Sequence, residues 1–255
     1  MNKRKLMLVA VALCMVAVLV TGGTLAYLTD SEYKENTFTL GNVTIDIEEY
    51  TYKDGVWAPF VDDTKLNPLE NEQGFVIYNK IVHTFNTSSS MNDAYIRTVV
   101  LFEKNDLLTA DYKNEGDCCF PGVHYGYNNV VGATKSSDGH YYYGVKEYEF
   151  GEVTYNGENY WYVVFVDADE KPIPYDAAQY SLASVWMDKN ISSETIKGWG
   201  DTLDVIVCSQ AIQAEGLTHA EAMTELGAIT AENLAKWNVT VADVDNLNVK
   251  GVAGN

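Results

Sequence analysis

Short runs of apolar residues, separated by turn signals, dominate the chain from Thr37 onward. The clearest are AYIRTVVLFE at Ala94–Glu103, ENYWYVVFV at Glu158–Val166 and LDVIVCSQAI at Leu203–Ile212. β-branched and aromatic residues fill these runs, as they do in strands. No regular alternation of strand and helix is present, which argues against a parallel α/β sheet. About eight to ten short strands with turns between them predict an all-β fold, an antiparallel β-sandwich or a barrel.

Turn and cap residues mark where several elements begin and end. Asn156–Gly157 stands between two β-like runs, the strongest short-range signal for a hairpin. Thr218, with Glu221 three residues later, has the spacing of a capping box and predicts a short helix that ends at Gly227. Thr230 predicts a second short helix. A few short helices are therefore expected near the C-terminus of the sandwich.

The first strand-like segment, Thr37–Glu49, changes its hydrophobic parity in the middle. Its apolar residues are Phe38, Leu40, Val43, Ile45 and Ile47. The first two share one parity and the last three share the other, and a strand has a side-chain period of two. Gly41–Asn42 lies at the change, where a bulge or a tight turn is expected. The later three residues are predicted to enter the core, with the polar residues between them facing water.

The N-terminus has the three parts of an export signal. Asn2–Lys5 is basic, Leu6–Val20 is apolar and uncharged, and Thr24-Leu25-Ala26 is a small-x-small cleavage site. Residues 1–26 are therefore predicted to be a signal peptide that is cut between Ala26 and Tyr27. The alternative is a retained anchor, because residues 6–28 are long enough to span a bilayer. Contact with the membrane is expected only through that segment, before cleavage.

After cleavage the predicted protein has a short arm and one domain. Residues 27–36 form a polar, flexible N-terminal arm, and residues 37–255 form a single β-sandwich domain with a loop-rich insertion at about 107–139. The full chain has a net charge of −19. Residues 1–26 carry three basic residues and no acidic one, so the remainder carries −22. Such an acidic surface repels phosphates and argues against nucleic acid as a partner.

Candidate catalytic and metal-binding patterns are sparse. The four histidines are His83, His124, His140 and His219, and none belongs to an H-E-x-x-H motif. Cys118–Cys119 with His124 and His140 is a conceivable mixed metal site, but its spacing matches no zinc pattern, and ordinary loop residues are favoured. Asp167, Asp169 and Glu170 are expected to form a solvated turn rather than a calcium site. No catalytic residue, metal ligand or cofactor is predicted.

Several segments resemble the camelysin/TasA family, exported proteins of Gram-positive bacteria that a SipW-type signal peptidase processes. The matching segments are Gly22–Asp30 at the signal end, Asn36–Phe38 and Gly41–Val43 at the first strand, Ala94–Arg97, and Ala211–Gly216. The resemblance implies a jelly-roll sandwich with a few short C-terminal helices. It also implies a secreted protein of the cell surface or biofilm matrix.

For the matrix members, the resemblance implies fibres built by donor-strand exchange, in which the N-terminal arm of one subunit completes a sheet of the next. Here the donor arm and first strand would involve Tyr27 and Leu28 together with the five apolar residues of Thr37–Glu49. The expected partners are other copies of this chain or related matrix proteins, and the signal peptidase. The alternative is that the arm folds back on its own domain or stays disordered.

Two other functions remain open. Camelysin-type proteins carry a metalloendopeptidase description, which would make this chain a cell-surface enzyme. A sandwich rich in tyrosine and tryptophan is also compatible with an adhesin or glycan-binding module, because aromatic rings can stack on sugars. An exported, non-enzymatic fibre protein is the favoured prediction.

Overall fold

The structure is a computed structural model. It describes residues 29–33, 36–38, 43–61, 68–69, 78–87, 92–105, 119–188, 190–192, 194–195, 197 and 203–237. In chain order, the strands are β1 (Thr29–Tyr33), β2 (Asn36–Phe38), β3 (Ile45–Lys53), β4 (Val56–Pro59), β5 (Pro68–Leu69), β6 (Tyr78–Asn86), β7 (Ala94–Glu103), β8 (Cys119–Phe120), β9 (Val123–Gly126), β10 (Ala133–Lys135), β11 (Tyr141–Tyr143), β12 (Val145–Tyr155), β13 (Glu158–Asp167), β14 (Ala177–Leu182), β15 (Ser184–Asp188) and β16 (Val205–Gln213). After β16 the described residues form the helices α1 (His219–Leu226) and α2 (Ala231–Lys236).

The described strands form three sheets. Sheet A has the order β12-β13-β7-β16-β1-β2, sheet B the order β10-β11-β14-β6-β3-β4, and sheet C the order β5-β15-β9-β8. The strand pairs are antiparallel except β11 with β14 and β15 with β5, which are parallel. This arrangement confirms the predicted all-β sandwich with short helices near the C-terminus.

The main core lies between sheet A on one side and sheets B and C on the other. Sheet A contributes Val100, Phe102, Trp161, Val163, Phe165 and Val207; sheet B contributes Val82 and Leu182; sheet C contributes Phe120, Val123, Tyr125, Val185 and Met187. The three sheets therefore share one hydrophobic interior. β8 and β9 belong to the segment predicted as a loop-rich insertion, and their side chains help to fill that interior.

The outer face of sheet A is buried as well. Val99 and Leu101 of β7 point away from the main core and pack with Ile229, Leu234 and Trp237 around α2. Tyr95 and Ile212 pack in the same way against Met223 and Leu226 of α1. Because the helices cover this face, β7 and β13 are apolar at successive positions rather than at alternate ones, as expected for strands buried on both sides.

One hairpin turn and one helix cap agree with the sequence signals, and a second hairpin turn has the same geometry. Asn156 and Gly157 both have positive φ, 53° and 90°, and join β12 to β13. Asp54 and Gly55, with φ of 54° and 83°, join β3 to β4 in the same manner. Positive φ at both central residues gives a turn whose twist matches the flanking strands. Thr218 accepts a hydrogen bond from the Glu221 backbone in the predicted capping box of α1.

Candidate functional site

The N-terminal segment forms an edge of sheet A. β1 lies antiparallel to β16, with register pairs that run from Thr29 opposite Ile212 to Glu32 opposite Ser209. β2 pairs with the other side of β1 and ends the sheet. Most of the predicted arm therefore appears in this chain as a strand on its own domain, the alternative that the sequence left open.

β16, the strand that pairs with β1, also pairs with β7 and contacts the opposite layer of the sandwich. β16 pairs along its whole length with β7, from Val205 opposite Phe102 to Gln213 opposite Ala94. The Ser209 hydroxyl lies 2.7 Å from the Thr84 hydroxyl of β6, which links the two layers through the core. β16 is thus a fixed template against which an arm can pair.

Arg97 links β16 to the C-terminal end of α1. Its Nε donates to Gln210 Oε1 at 2.7 Å, and its terminal nitrogens donate to the carbonyl oxygens of Leu226 and Gly227 at 2.6 and 2.7 Å. Burial lowers the pKa of Arg97 to about 10, so the guanidinium stays charged at neutral pH. The guanidinium thus donates hydrogen bonds to two carbonyl oxygens at the end of α1, where a helix leaves its last carbonyls without partners. The last turn of α1 itself contains no basic residue.

The predicted arm and first-strand residues fall into two sheets. Phe38 lies in β2 of sheet A, opposite Ser31. Val43 and Ile45 are buried in a cluster between the layers, and Ile47 of β3 packs against the main core, as predicted. The parity change thus separates a segment in sheet A from a segment in sheet B. The cleavage residues Thr24, Ala26 and Tyr27, the arm residue Leu28, and Leu40 with Gly41–Asn42 lie outside the described residues.

The histidine, cysteine and carboxylate candidates are distributed over separate places. Buried His124 hydrogen-bonds Asp188 with 2.9 Å between Nε2 and Oδ2, and its ring stacks on Trp186. Cys119 lies opposite His124 in the β8–β9 register, whereas His140 lies on sheet B. Among the described residues, no group of three or more His, Cys, Asp or Glu side chains is placed to hold a metal ion.

Two other candidate positions have structural partners. Asp167 Oδ1 accepts the backbone N–H groups of Asp169 and Lys171 at 3.0 and 2.8 Å, which closes the turn after β13. Cys208 is a fully buried thiol, and burial raises its pKa to about 12. A thiol with this pKa is a poor nucleophile at neutral pH, because the thiolate is the reactive form.

A large cleft lies on the outer face of sheet B. Its volume is about 1030 Å³, and it is bounded by β3, β4, β6, β11 and β14 and by the segments 126–130 and 134–140. The register aligns one row of side chains across three strands, Tyr180, His83 and Glu48. A second row contains Phe85 and Asp46. Residues at every second position of these strands thus present aromatic and acidic groups on the same face.

His83 is at the centre of this aromatic face. Its ring centroid lies 4.5 Å from Tyr142, 4.8 Å from Tyr180 and 5.8 Å from Tyr50. Its exposed fraction is 5%, and neither ring nitrogen has a hydrogen-bond partner among the described residues. Burial lowers its pKa to about 3, so the imidazole is neutral above that pH.

Carboxylates border the aromatic face and are hydrogen-bonded by tyrosines. The Tyr50 hydroxyl donates to Glu48 Oε2 at 2.5 Å, and the Tyr142 hydroxyl donates to Asp138 Oδ2 at 2.7 Å. Desolvation raises the pKa of Glu48, a shift that the Tyr50 hydrogen bond partly opposes. Sequence reasoning did not identify this cleft. The sequence does contain one indication of it: polar or aromatic residues stand at every second position of Asp46–Tyr50 and of His83–Phe85.

Comparison with known proteins links the N-terminal part of the chain to one family. The family model described as camelysin metallo-endopeptidase matches residues 1–54. This match covers β1, β2 and β3, and it confirms the resemblance to the camelysin/TasA family. No curated protein and no solved structure matches the chain significantly. Within the described ranges, no helix has the length and apolar character needed to cross a membrane.

Proposed function

We propose that this chain is an exported structural protein of the cell surface or extracellular matrix of a Gram-positive bacterium, and that its subunits join through the N-terminal strand. The observation that supports the proposal is the position of β1 between β16 and the edge strand β2 of sheet A. This strand begins three residues after the predicted cleavage site at Ala26. The camelysin family match over residues 1–54 supports export.

The exchange needs no new type of contact. The β1 of one subunit would pair with β16 of the next in the same register that it makes within its own chain. Backbone hydrogen bonds of this kind contribute about 1 kcal/mol each to stability in net terms. Their number stays the same whether β1 pairs with its own chain or with another subunit. A head-to-tail contact that does not close on itself gives a filament. The strand sequence TDSEY contains two acidic residues, which oppose indiscriminate edge pairing.

Protein concentration decides whether β1 pairs with β16 of its own chain or with β16 of another subunit. A tethered arm faces its own β16 at an effective concentration on the order of millimolar for a short linker. Pairing between subunits competes only when the local concentration of protein approaches that value, or when subunits are held side by side at a surface. Exchange is therefore expected in a crowded matrix and not in dilute solution.

An engineered disulfide distinguishes the two arrangements. Asp30 lies opposite Ala211, and directly opposed residues of an antiparallel pair have Cα atoms about 4.5–5.5 Å apart, within disulfide range. We would make Asp30→Cys with Ala211→Cys in a background where Cys118 and Cys119 are serine. Cys208 is fully buried and can remain. The mature protein would be concentrated, oxidised, and analysed by non-reducing gel electrophoresis and electron microscopy.

A ladder of covalent oligomers from filaments supports exchange through β1. Filaments that yield only an internally linked monomer overturn it, and so does the absence of filaments at every concentration. The matched control is Thr29→Cys with Ala211→Cys, in which the two side chains lie on opposite faces of the sheet and should not link. Deleting residues 27–36 should leave a folded monomer that does not polymerise.

The metalloendopeptidase description belongs to the matching family. No observation in the described residues transfers that activity to this chain.

A further inference from the structure

We propose that the cleft on the outer face of sheet B binds a carbohydrate chain that carries no acidic groups. The cleft lies on the layer opposite to β1, so this inference does not depend on the assembly proposed above. Four properties of the cleft support it: its size, its aromatic surface, its polar rim and its charge.

The size and shape fit an extended ligand. A volume of about 1030 Å³ is at the upper end of the range for small-molecule sites, which is roughly 300–1,000 Å³. The cleft follows several strands, from Trp57 on β4 to Tyr142 on β11. A single ammonium group or a metal ion would leave most of this space empty, whereas a few linked sugar rings would occupy it.

Trp57 supplies an exposed aromatic face at one end of the cleft. Its exposed fraction is 54%, yet its ring is held in place by Tyr52 at 5.1 Å and by Tyr50 at 6.1 Å between centroids. A large aromatic residue that is both exposed and fixed provides apolar contact area at little cost in conformational entropy. The C–H faces of pyranose rings are suitable partners for such a surface.

The rim supplies groups that both donate and accept hydrogen bonds. Side chains on this rim are Asn128, Asn129, Thr134, Ser136 and Ser137. Amide and hydroxyl groups match the hydroxyl groups of a sugar, which also do both. An apolar floor with a few polar groups at its edge is the usual composition of a ligand site.

Charge selects the class of carbohydrate. The acidic lining residues are Asp46, Glu48, Asp138 and Asp176, and no lysine or arginine is present among the described lining residues. A uronate or a phosphorylated polymer would meet repulsion without a compensating cation. Neutral sugars can donate hydroxyl protons to these carboxylates, and an amino sugar would in addition be attracted by them. The shared chemistry is thus a neutral or aminated glycan.

His83 gives an independent indication that a polar ligand is missing. It lines the cleft, it is almost fully buried, and its two nitrogens have no partner in the described part of the chain. A buried polar group without a partner destabilises the folded state, and such groups are rare in folded proteins. A neutral imidazole can both donate to and accept from a sugar hydroxyl, so a bound glycan would remove this cost.

Isothermal titration with defined oligosaccharides tests the proposal. The ligands are a neutral β-linked glucose oligomer, an N-acetylglucosamine oligomer, its deacetylated form and an oligogalacturonate. We expect binding of at least one of the first three and none of the last. Trp57→Ala should weaken that binding at least tenfold, and Trp57→Phe should restore part of it. Phe150→Ala is the matched control, because Phe150 is 70% exposed and lies outside the cleft lining.

Three results would overturn the proposal. The first is no binding of any neutral or aminated oligomer at millimolar concentration, and the second is a preference for the oligogalacturonate. The third is equal affinity in wild type and Trp57→Ala. Tetramethylammonium serves as a further probe. Its binding without any oligosaccharide binding would assign the aromatic face to a simple cation and also refute the glycan assignment.

Discussion

Replacing His83 with phenylalanine should make the protein more resistant to unfolding by acid. In the unfolded chain a histidine has a pKa of about 6.5, whereas burial lowers the pKa of His83 to about 3 in the folded protein. Between these values the unfolded state binds a proton that the folded state does not bind. Lowering the pH through this window therefore favours unfolding. A phenylalanine cannot bind a proton in either state.

The magnitude follows from the two pKa values. Each pH unit within the window changes the free energy of unfolding by about 1.4 kcal/mol for one group. From pH 7 to pH 5, His83 alone should cost the wild-type protein about 2 kcal/mol, since titration begins near pH 6.5. The raised pKa of Glu48 acts in the opposite direction. That contribution is common to both proteins and largely cancels in their difference.

Urea unfolding followed by tryptophan fluorescence would measure the free energy of unfolding at pH 7 and pH 5. The quantity to compare is the loss between the two pH values, which should be about 2 kcal/mol smaller in His83→Phe. Phe85→Leu is the control, because it disturbs the same aromatic cluster without removing a titrating group and should keep the wild-type loss. Equal losses in wild type and His83→Phe would show that the reasoning about the buried neutral imidazole is wrong.

Two further substitutions test the elements that hold β16 and α1. Arg97→Met removes the donors to Gln210 and to the Leu226 and Gly227 carbonyls, and it should lower the free energy of unfolding in urea by about 3 kcal/mol; a change below 1 kcal/mol would contradict the anchoring role. Thr218→Ala removes the α1 cap and should lower the free energy of unfolding by about 1 kcal/mol. Thr218→Ser keeps the capping hydroxyl and should be close to wild type. Equal thermal stability of all three proteins would refute the capping role.

Features decided by a few neighbouring residues were predictable from the sequence. The Asn156–Gly157 hairpin depends on two residues that tolerate positive φ, and both have it. The α1 cap depends on Thr218 and a glutamate one turn later. The all-β class follows from the frequency of such local patterns, so it was also accessible. In each case the interaction that fixes the structure spans only a few positions along the chain.

The first strand-like segment shows where local patterns stop being sufficient. The parity change between Phe38 and Val43 is visible in the sequence and indicates a change of environment. The structure places Phe38 in sheet A and Ile45 in sheet B. A change of sheet and a bulge within one strand produce the same pattern of parity, so the sequence cannot distinguish them.

The cleft could not be predicted because it depends on strand order. Glu48, His83 and Tyr180 become neighbours through the pairing of β3 with β6 and of β6 with β14. These residues are far apart along the chain, and nothing near them specifies which strands will pair. Likewise, the sequence shows four histidines without a motif, and only the packing of aromatic rings around His83 sets it apart.

The pairing of β1 with β16 also has a consequence for the order of events during synthesis. A ribosome makes β1 before the other described strands of the sandwich and β16 after all of them. Such distant pairing forms late in folding, because the intervening chain must be arranged first. Throughout this delay a new arm has no β16 of its own with which to pair, whereas β16 of a finished molecule is already folded against β7. The time that a chain takes to emerge, as well as the amount of protein present, would then influence whether its arm closes its own sheet or extends another.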